Sequence, residues 1–386
     1  MIPYGRQHID EDDIASVIDT LKSDFLTQGP QVPLFEEKVK NYVSAKYAVA
    51  ANSATSALHI ACLSLGLREN DTLWTTPISF AASANCALYC GAKIDFVDID
   101  PKTHNMCVDT LKNKLADAQN KKKLPKVLVV VHMGGQSCAM QSIYELCVNY
   151  NVKIIEDASH AIGASYNEKK VGSCFYSDIT VFSFHPVKII TTGEGGVATT
   201  NDKNLYQKLQ LFRSHGVTKD PNLSSDNIKT SMLPWFYEQI VLGYNYRMTD
   251  ISAALGISQL KKIDEFINKR QQIAEKYDDA FKNLDITLPI YNQDGISSLH
   301  LYVIKISENR KKDHLEIFQA LRDQGIYVQL HYIPIYHHPY YRNLGFYEGY
   351  CPNAENYYSR AISLPIFYDL KAEEQDFIIQ KMREFI

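Results

Sequence analysis

Residues 126–132 read KVLVVVH, a run too apolar to be a half-exposed strand. A strand of that kind has to be covered on both faces, and a parallel sheet flanked by helices does this. The neighbouring segments agree. Residues 46–51 (KYAVAA), 73–76 (LWTT), 92–98 (AKIDFVD), 152–155 (VKII) and 179–184 (ITVFSF) are further short apolar runs, and 197–200 (VATT) closes the series. Helical spacing predicts helices over 8–22, from 34 onward, over 58–67, over 108–118 and over 203–213. The alternation predicts an α/β fold with a mostly parallel central sheet.

In such a sheet the loops after the strands gather at one edge, where ligands bind. Two of those loops carry charged residues. The run 152–155 ends in Glu156-Asp157, and 179–184 leads through His185-Pro186 to Lys188. A carboxylate and an amine at one sheet edge suit pyridoxal phosphate: the aspartate keeps the pyridine nitrogen protonated and the lysine forms the Schiff base. Taken singly, Asp157 also fits the cap of a helix starting at Ala158, and Lys188 a surface lysine. Asn52-Ser53-Ala54-Thr55-Ser56-Ala57 lies at a strand-to-helix turn, where free amides, hydroxyls and the helix dipole suit a phosphate. The same residues fit a plain N-cap. Phe80, just past 73–76, is placed either to stack on a flat ring or in the core. Gly193, Gly195 and Gly196 allow close backbone approach beside Lys188.

The helical pattern from 249 to 283 is too long for one compact layer, so the domain boundary is placed inside it. This gives a large domain, 1–255, and a small C-terminal α+β domain, 256–386, with a strand at 299–305 and helices at 313–324 and from 371. Residues 217–231 read as a mobile loop. In the aromatic segment that runs to 350, the clustered Tyr and His of 331–341 read either as a binding wall or as passive packing against a neighbouring domain.

Forty basic and 44 acidic residues, without a block of like charge, leave no electrostatic footprint for nucleic acid. No apolar run reaches the length of a membrane span, and the first residues do not read as a signal peptide, so a cytoplasmic protein is expected. The eight cysteines include no C-x-x-C pair and sit mostly in apolar runs; they read as reduced core thiols, with no metal site.

NSATSAL, TTPISFAASANC, VKIIEDASHAIGA, VFSFHPVKIITTGEGG, LFRSHG and LGYNYRMTDISAALG follow one another in this order. Together they resemble the DegT/DnrJ/EryC1/StrS family of sugar-nucleotide aminotransferases, over essentially the whole chain. The resemblance implies the fold-type I (aspartate aminotransferase-like) architecture and pyridoxal 5′-phosphate as cofactor. It makes Lys188 the catalytic Schiff-base lysine and Asp157 the partner of the pyridinium nitrogen. Phe80 would stack on the ring, His160 would lie near its phenolic oxygen, and Ala54, Thr55 and Ser183 would hold the phosphate or adjoining substrate groups. Asn245 would reach the cofactor phosphate of a second subunit, which implies an obligate homodimer. Tyr4, Leu26, Thr27, Gln329, His331 and Tyr332 would contact the nucleotide sugar. SFHPVK, QLHYIPIY and EDASHA, with His160 where many relatives have glutamine, are closest to a branch that moves the L-glutamate nitrogen to C4 of a UDP-linked 4-keto-6-deoxy-HexNAc of L-configuration. That reaction lies on the route to pseudaminic acid of flagellar and surface glycans. The alternatives are a C4 aminotransferase for the D-configured UDP-sugar, a GDP- or dTDP-linked relative, or a regulatory binding protein. Lys188 argues against the family's dehydratases, which carry histidine in its place.

Overall fold

A computed structural model describes residues 1–220, 223, 233–307 and 313–386. Its centre is a seven-stranded sheet made of β1 (Tyr47–Ala51), β2 (Thr72–Thr75), β3 (Lys93–Phe96), β4 (Val127–Val131), β5 (Lys153–Asp157), β6 (Ile179–Ser183) and β7 (Gly196–Thr200). The spatial order is β1-β7-β6-β5-β4-β2-β3. Only β7 runs against the others, pairing antiparallel with β1 and β6.

The valine-rich run behaves as its composition demands. All five residues of β4 are buried. Val127, Val129 and Val131 enter the apolar core on one face, and Leu128 and Val130 enter the core on the other. Each such side chain contributes about 1.5–3 kcal/mol relative to exposure, which explains why this strand lies in the middle of the sheet.

Helices α1 (Glu11–Leu21), α2 (Gln31–Val43), α3 (Ala54–Ser64), α4 (Ala82–Tyr89), α5 (Val108–Asn120), α6 (Met140–Tyr150) and α7 (Lys203–Arg213) cover the sheet or extend from it. Helix α6 is not among the helices expected from the sequence. Its buried positions, Met140, Ile143 and Cys147, stand three and four apart, so the helical signal is present in the chain.

The pattern over 249–283 is not one helix. It divides into α8 (Asp250–Leu260) and α9 (Ile263–Phe281) on either side of Lys261-Lys262. The break is fastened to the N-terminus, because Lys262 Nζ pairs with Asp10 at 2.7 Å and Asp13 at 2.8 Å. Asp10 and Asp13 form the capping box of α1. The proposed division at 255/256 falls within α8.

The C-terminal unit has an antiparallel sheet of β8 (Ile286–Thr287), β9 (Tyr302–Ile306) and β10 (Ala361–Leu364), with β9 in the middle. Helices α10 (His314–Asp323) and α11 (Ala372–Phe385) pack there with α9 around Tyr277, Phe281, Tyr302 and Ile304. Ile2–Pro3 pairs with Ile326–Tyr327, so the chain start is bound into this unit. Of the expected loop 217–231, Val217–Thr218 pairs with Glu238–Gln239, and residues 221–222 and 224–231 lie outside the described residues.

Among the described residues no helix is long and apolar enough to cross a membrane.

Candidate active site

The carboxyl ends of three adjacent strands define the site. Register places Val131 of β4 opposite Asp157 of β5, and Asp157 opposite Val181 of β6. Lys188 lies in the segment that joins β6 to β7. Val131, Asp157, Ser183 and Lys188 all line one cavity of about 1220 Å³, its open mouth included. Asp157 is the last residue of its strand and no helix begins at Ala158, so the helix-cap alternative does not hold.

Asp157 is buried, and every partner it has is a neutral donor. Ser83 Oγ donates to Oδ2 at 2.6 Å, while Ser159 donates to Oδ1 from Oγ at 2.6 Å and from its backbone N–H at 3.1 Å. Ser79 Oγ lies 2.6 Å from Ser83 Oγ behind it. The Lys188 amine has no hydrogen-bond partner among the described residues. Burial pushes it down to about 8, against the opposing pull of the Asp157 charge.

The phosphate cradle and the N-cap turn out to be the same structure. Ser53 caps α3, its Oγ accepting from the Ser56 N–H at 3.1 Å, and its carbonyl accepts from the Ala57 N–H. The amides of Ala54 and Thr55 have no partner among the described residues, and both residues line the cavity. They are held against the sheet at Gly196, where an added Cβ would lie 2.6 Å from the Ala54 nitrogen. Gly196 in turn stands opposite Ser183 in register. Two free helix-terminal amides beside a hydroxyl form an anion seat.

Phe80 is not core: it is 65% exposed and lines the cavity. The residues present therefore fit pyridoxal phosphate. They offer an anion seat, a buried carboxylate without a cation, a desolvated amine and an uncovered aromatic face at the rim of one cavity.

Tyr4, His331 and Tyr332 bring the small-domain side to the same cavity, with the Tyr4 and His331 rings 5.0 Å apart. His331 Nδ1 bonds Ser363 Oγ at 2.8 Å, and burial with the nearby Lys188 charge drives the imidazole down to about 3. His160 also lines the cavity and reaches Tyr332, its Nε2 standing 3.1 Å from the phenol oxygen.

Four expected residues do not line this cavity. Leu26 and Thr27 lie on an exposed turn where Thr27 bridges to Thr249, Asn245 is exposed and bridges to Ser214, and Gln329 is exposed and bridges to Ser363. Three of them adjoin a second cavity of about 820 Å³, whose lining includes Gln28, Gly29, Ser214 and Arg247. The aromatic segment divides as well. Tyr336 and Tyr341 are buried with Phe96, and Tyr341 donates to Asn85 Oδ1 at 2.6 Å, so this part packs against β3 and α4. Ser79, Ser159, His185 and Glu194 also line the cavity and Ser83 holds Asp157, although none of the five is among the site residues expected from the sequence.

The model of the DegT/DnrJ/EryC1/StrS aminotransferase family matches residues 7–383. The UDP-4-amino-4,6-dideoxy-N-acetyl-beta-L-altrosamine transaminase of Campylobacter jejuni subsp. jejuni serotype O:23/36 (strain 81-176) is 40% identical, the alignment spanning 98% of this chain and 96% of that protein. Helicobacter pylori PseC, an aminotransferase involved in the biosynthesis of pseudoaminic acid, superposes with a TM-score of 0.89 at 34% identity, over 100% of this chain and 98% of that one. Spr1654 of Streptococcus pneumoniae, in its PMP form, gives 0.91 at 29% identity over 100% and 99% of the two chains. The chain thus belongs to the DegT/DnrJ/EryC1/StrS aminotransferase family and has the fold of an enzyme that works with pyridoxal 5′-phosphate.

Proposed function

We propose that this protein transfers the amino group of L-glutamate to C4 of UDP-2-acetamido-2,6-dideoxy-β-L-arabino-hex-4-ulose. The product is UDP-4-amino-4,6-dideoxy-N-acetyl-β-L-altrosamine, a precursor of pseudaminic acid, made by a cytoplasmic homodimer. The observation that carries the reading is the convergence of Lys188, Asp157, Phe80 and the free α3 amides on one cavity whose other wall is Tyr4, His331 and Tyr332. The names of the Campylobacter and Helicobacter relatives support this substrate.

The roles follow from the environments. When bound, pyridoxal phosphate supplies an electron sink for the carbon that loses its proton. The amides of Ala54 and Thr55 and the Ser183 hydroxyl bind the phosphate. The Asp157 carboxyl, ion-paired with no cation among the described residues, lies where it would stabilise a protonated pyridine nitrogen. Phe80 supplies the flat face. Lys188, pushed down to about 8, is neutral in roughly a tenth of molecules at pH 7, far more than an ordinary lysine, so Nζ can accept the α-proton of glutamate and later return a proton to carbon. The walls hold donor and acceptor in turn over that one nitrogen.

Leu26, Thr27 and Asn245 do not line the Lys188 cavity; Leu26 and Thr27 are tied to Asp250 and Thr249, a few residues beyond Asn245 in the chain. That placement supports a site completed by a second copy, with Asn245 reaching the partner's phosphate. Exposed Phe25 and Leu242 on the same elements, 52% and 78% accessible, give such a contact an apolar component.

A half-reaction tests the substrate. Enzyme converted to its pyridoxamine form by glutamate is freed of excess donor and mixed with the UDP-linked 4-keto L-sugar or its D-epimer. Return of the visible cofactor band with the L-sugar alone is expected. Return with the D-sugar alone would overturn the substrate assignment, and no return with either would overturn the sugar reading altogether.

A further inference from the structure

His160 is buried in the turn after β5 and has a fixed tautomer. The Gly134 N–H donates to its Nδ1 at 3.3 Å. A backbone amide can only donate, so Nδ1 carries a lone pair and the ring proton sits on Nε2. Gly134 is itself held in place: its φ is +65°, and its carbonyl accepts from the Leu301 N–H at 3.1 Å. The His160 carbonyl is fixed too, accepting from Ser298 Oγ at 2.8 Å.

Nε2 stands 3.1 Å from Tyr332 Oη. With the proton on Nε2, the imidazole donates and the phenol oxygen accepts. The phenol's own proton then has no partner among the described residues, and Tyr332 lines the cavity with Lys188 and His331. Burial, with the charge of Lys188 and the proximity of His331, keeps His160 neutral, and burial keeps Tyr332 protonated. The His300 ring, 4.4 Å from His160 and also kept neutral by burial, brings no charge that would reverse this order.

We propose that Tyr332 donates a hydrogen bond to the keto oxygen of the sugar, and that His160, locked as the Nε2–H tautomer by the Gly134 amide, is the positioning residue that keeps the phenol proton directed into the cavity. Tyr332 comes from the small-domain wall and is separate from the Asp157, Ser183 and Ala54 group at the sheet edge. A neutral donor preset on a carbonyl oxygen helps because that oxygen gains negative charge as carbon is attacked. The inference rests on the keto-sugar reading of the site.

The test combines three variants with one spectrum. In single-turnover sugar half-reactions, Tyr332→Phe is expected to be about 10²-fold slower, the size of effect seen when one such donor is removed. His160→Leu is expected to be about 10-fold slower, one donor having been misdirected rather than removed. His160→Gln is expected to recover most of the rate, since its amide oxygen can accept from Gly134 and its amide nitrogen can donate to Tyr332. In Tyr332→Phe and His160→Leu the sugar half-reaction is expected to slow more than the glutamate half-reaction. In protein free of cofactor, 15N spectra of the histidine rings near neutral pH are expected to show His160 protonated at Nε2 only. A Tyr332→Phe enzyme at the wild-type sugar rate, a Gln variant no better than Leu, or a proton on His160 Nδ1 would each overturn the proposal. Wild-type enzyme inert toward both sugar epimers would instead sink the function reading, which keeps the two failures apart.

Discussion

Strand β5 ends on two carboxylates that are neighbours in sequence and opposites in environment. Glu156 points into the interior, where His132 Nε2 lies 2.7 Å from Oε2, and the hydroxyls of Ser177 and Thr180 donate to Oε1 at 2.5 and 2.9 Å. Asp157 points into the cavity, bonded to two serine hydroxyls and one amide, and among the described residues no cation lies within bonding distance. Both are nearly inaccessible, at 5% and 4%. A buried acid is costly unless its charge is compensated. Glu156 has full compensation inside the protein. Asp157 has hydrogen bonds and the field of the nearby Lys188 amine but no ion pair among the described residues, and a directly bonded positive partner is what a protonated pyridine ring would provide. One strand end thus holds a structural acid and a functional acid, separated only by the side-chain alternation of the strand.

Exchanging each acid for its amide should separate the two roles. Asp157→Asn is expected to lower kcat by about 10³-fold, because the amide cannot stabilise a pyridinium, while shifting unfolding free energy by less than about 1 kcal/mol. Steady-state kinetics beside denaturant melts would check it, and a variant with normal turnover would erase the contrast. Glu156→Gln is expected to do the reverse, with a loss of about 3 kcal/mol in stability and kcat within about twofold of wild type. Its pH dependence adds a sign. Burial alone would raise Glu156, but the bonds from His132, Ser177 and Thr180 hold it below the ordinary glutamate range. A depressed carboxyl stabilises above its unfolded value, about 4.3, and loses that contribution as pH falls through the folded value. Acid titration of wild type should show this limb, and Glu156→Gln should lack it. The smallest effect is expected on the cofactor side of the sheet: Ser53→Ala should cost about 1 kcal/mol by uncapping α3, read as a lower melting temperature.

How much of this could be read from the chain depends on the range of the interaction. Strand β4 announced itself through five consecutive apolar residues, and the runs ending at Asp157 and Ser183 marked the sheet edge, because alternation and composition are local properties. The order of strands is not local, nor is the reversal of β7. Ser83 escaped notice because it sits among alanines in α4, where nothing in the spacing signals a hydroxyl bonded to a carboxylate on a different strand. The contact between His160 and Tyr332 joins positions 172 apart and depends on where the small domain docks. The break at Lys261-Lys262 was hidden for the opposite reason: apolar spacing continues smoothly from α8 into α9, and only the aspartates of α1 fasten the interruption.

The close contact at Gly196 sets a depth. Since a hydrogen atom occupies the place of a side chain there, the first turn of α3 can rest directly on strand backbone, 2.6 Å from where a Cβ would stand. The strand acts as a stop, and the anion seat is located from it as a component is located from a machined shoulder. A methyl group at this position would lift the seat away from Ser183 and tilt whatever is anchored there relative to Lys188. The reach of the lysine and the depth of the seat are therefore a matched pair, and the glycine is the part that fixes their spacing.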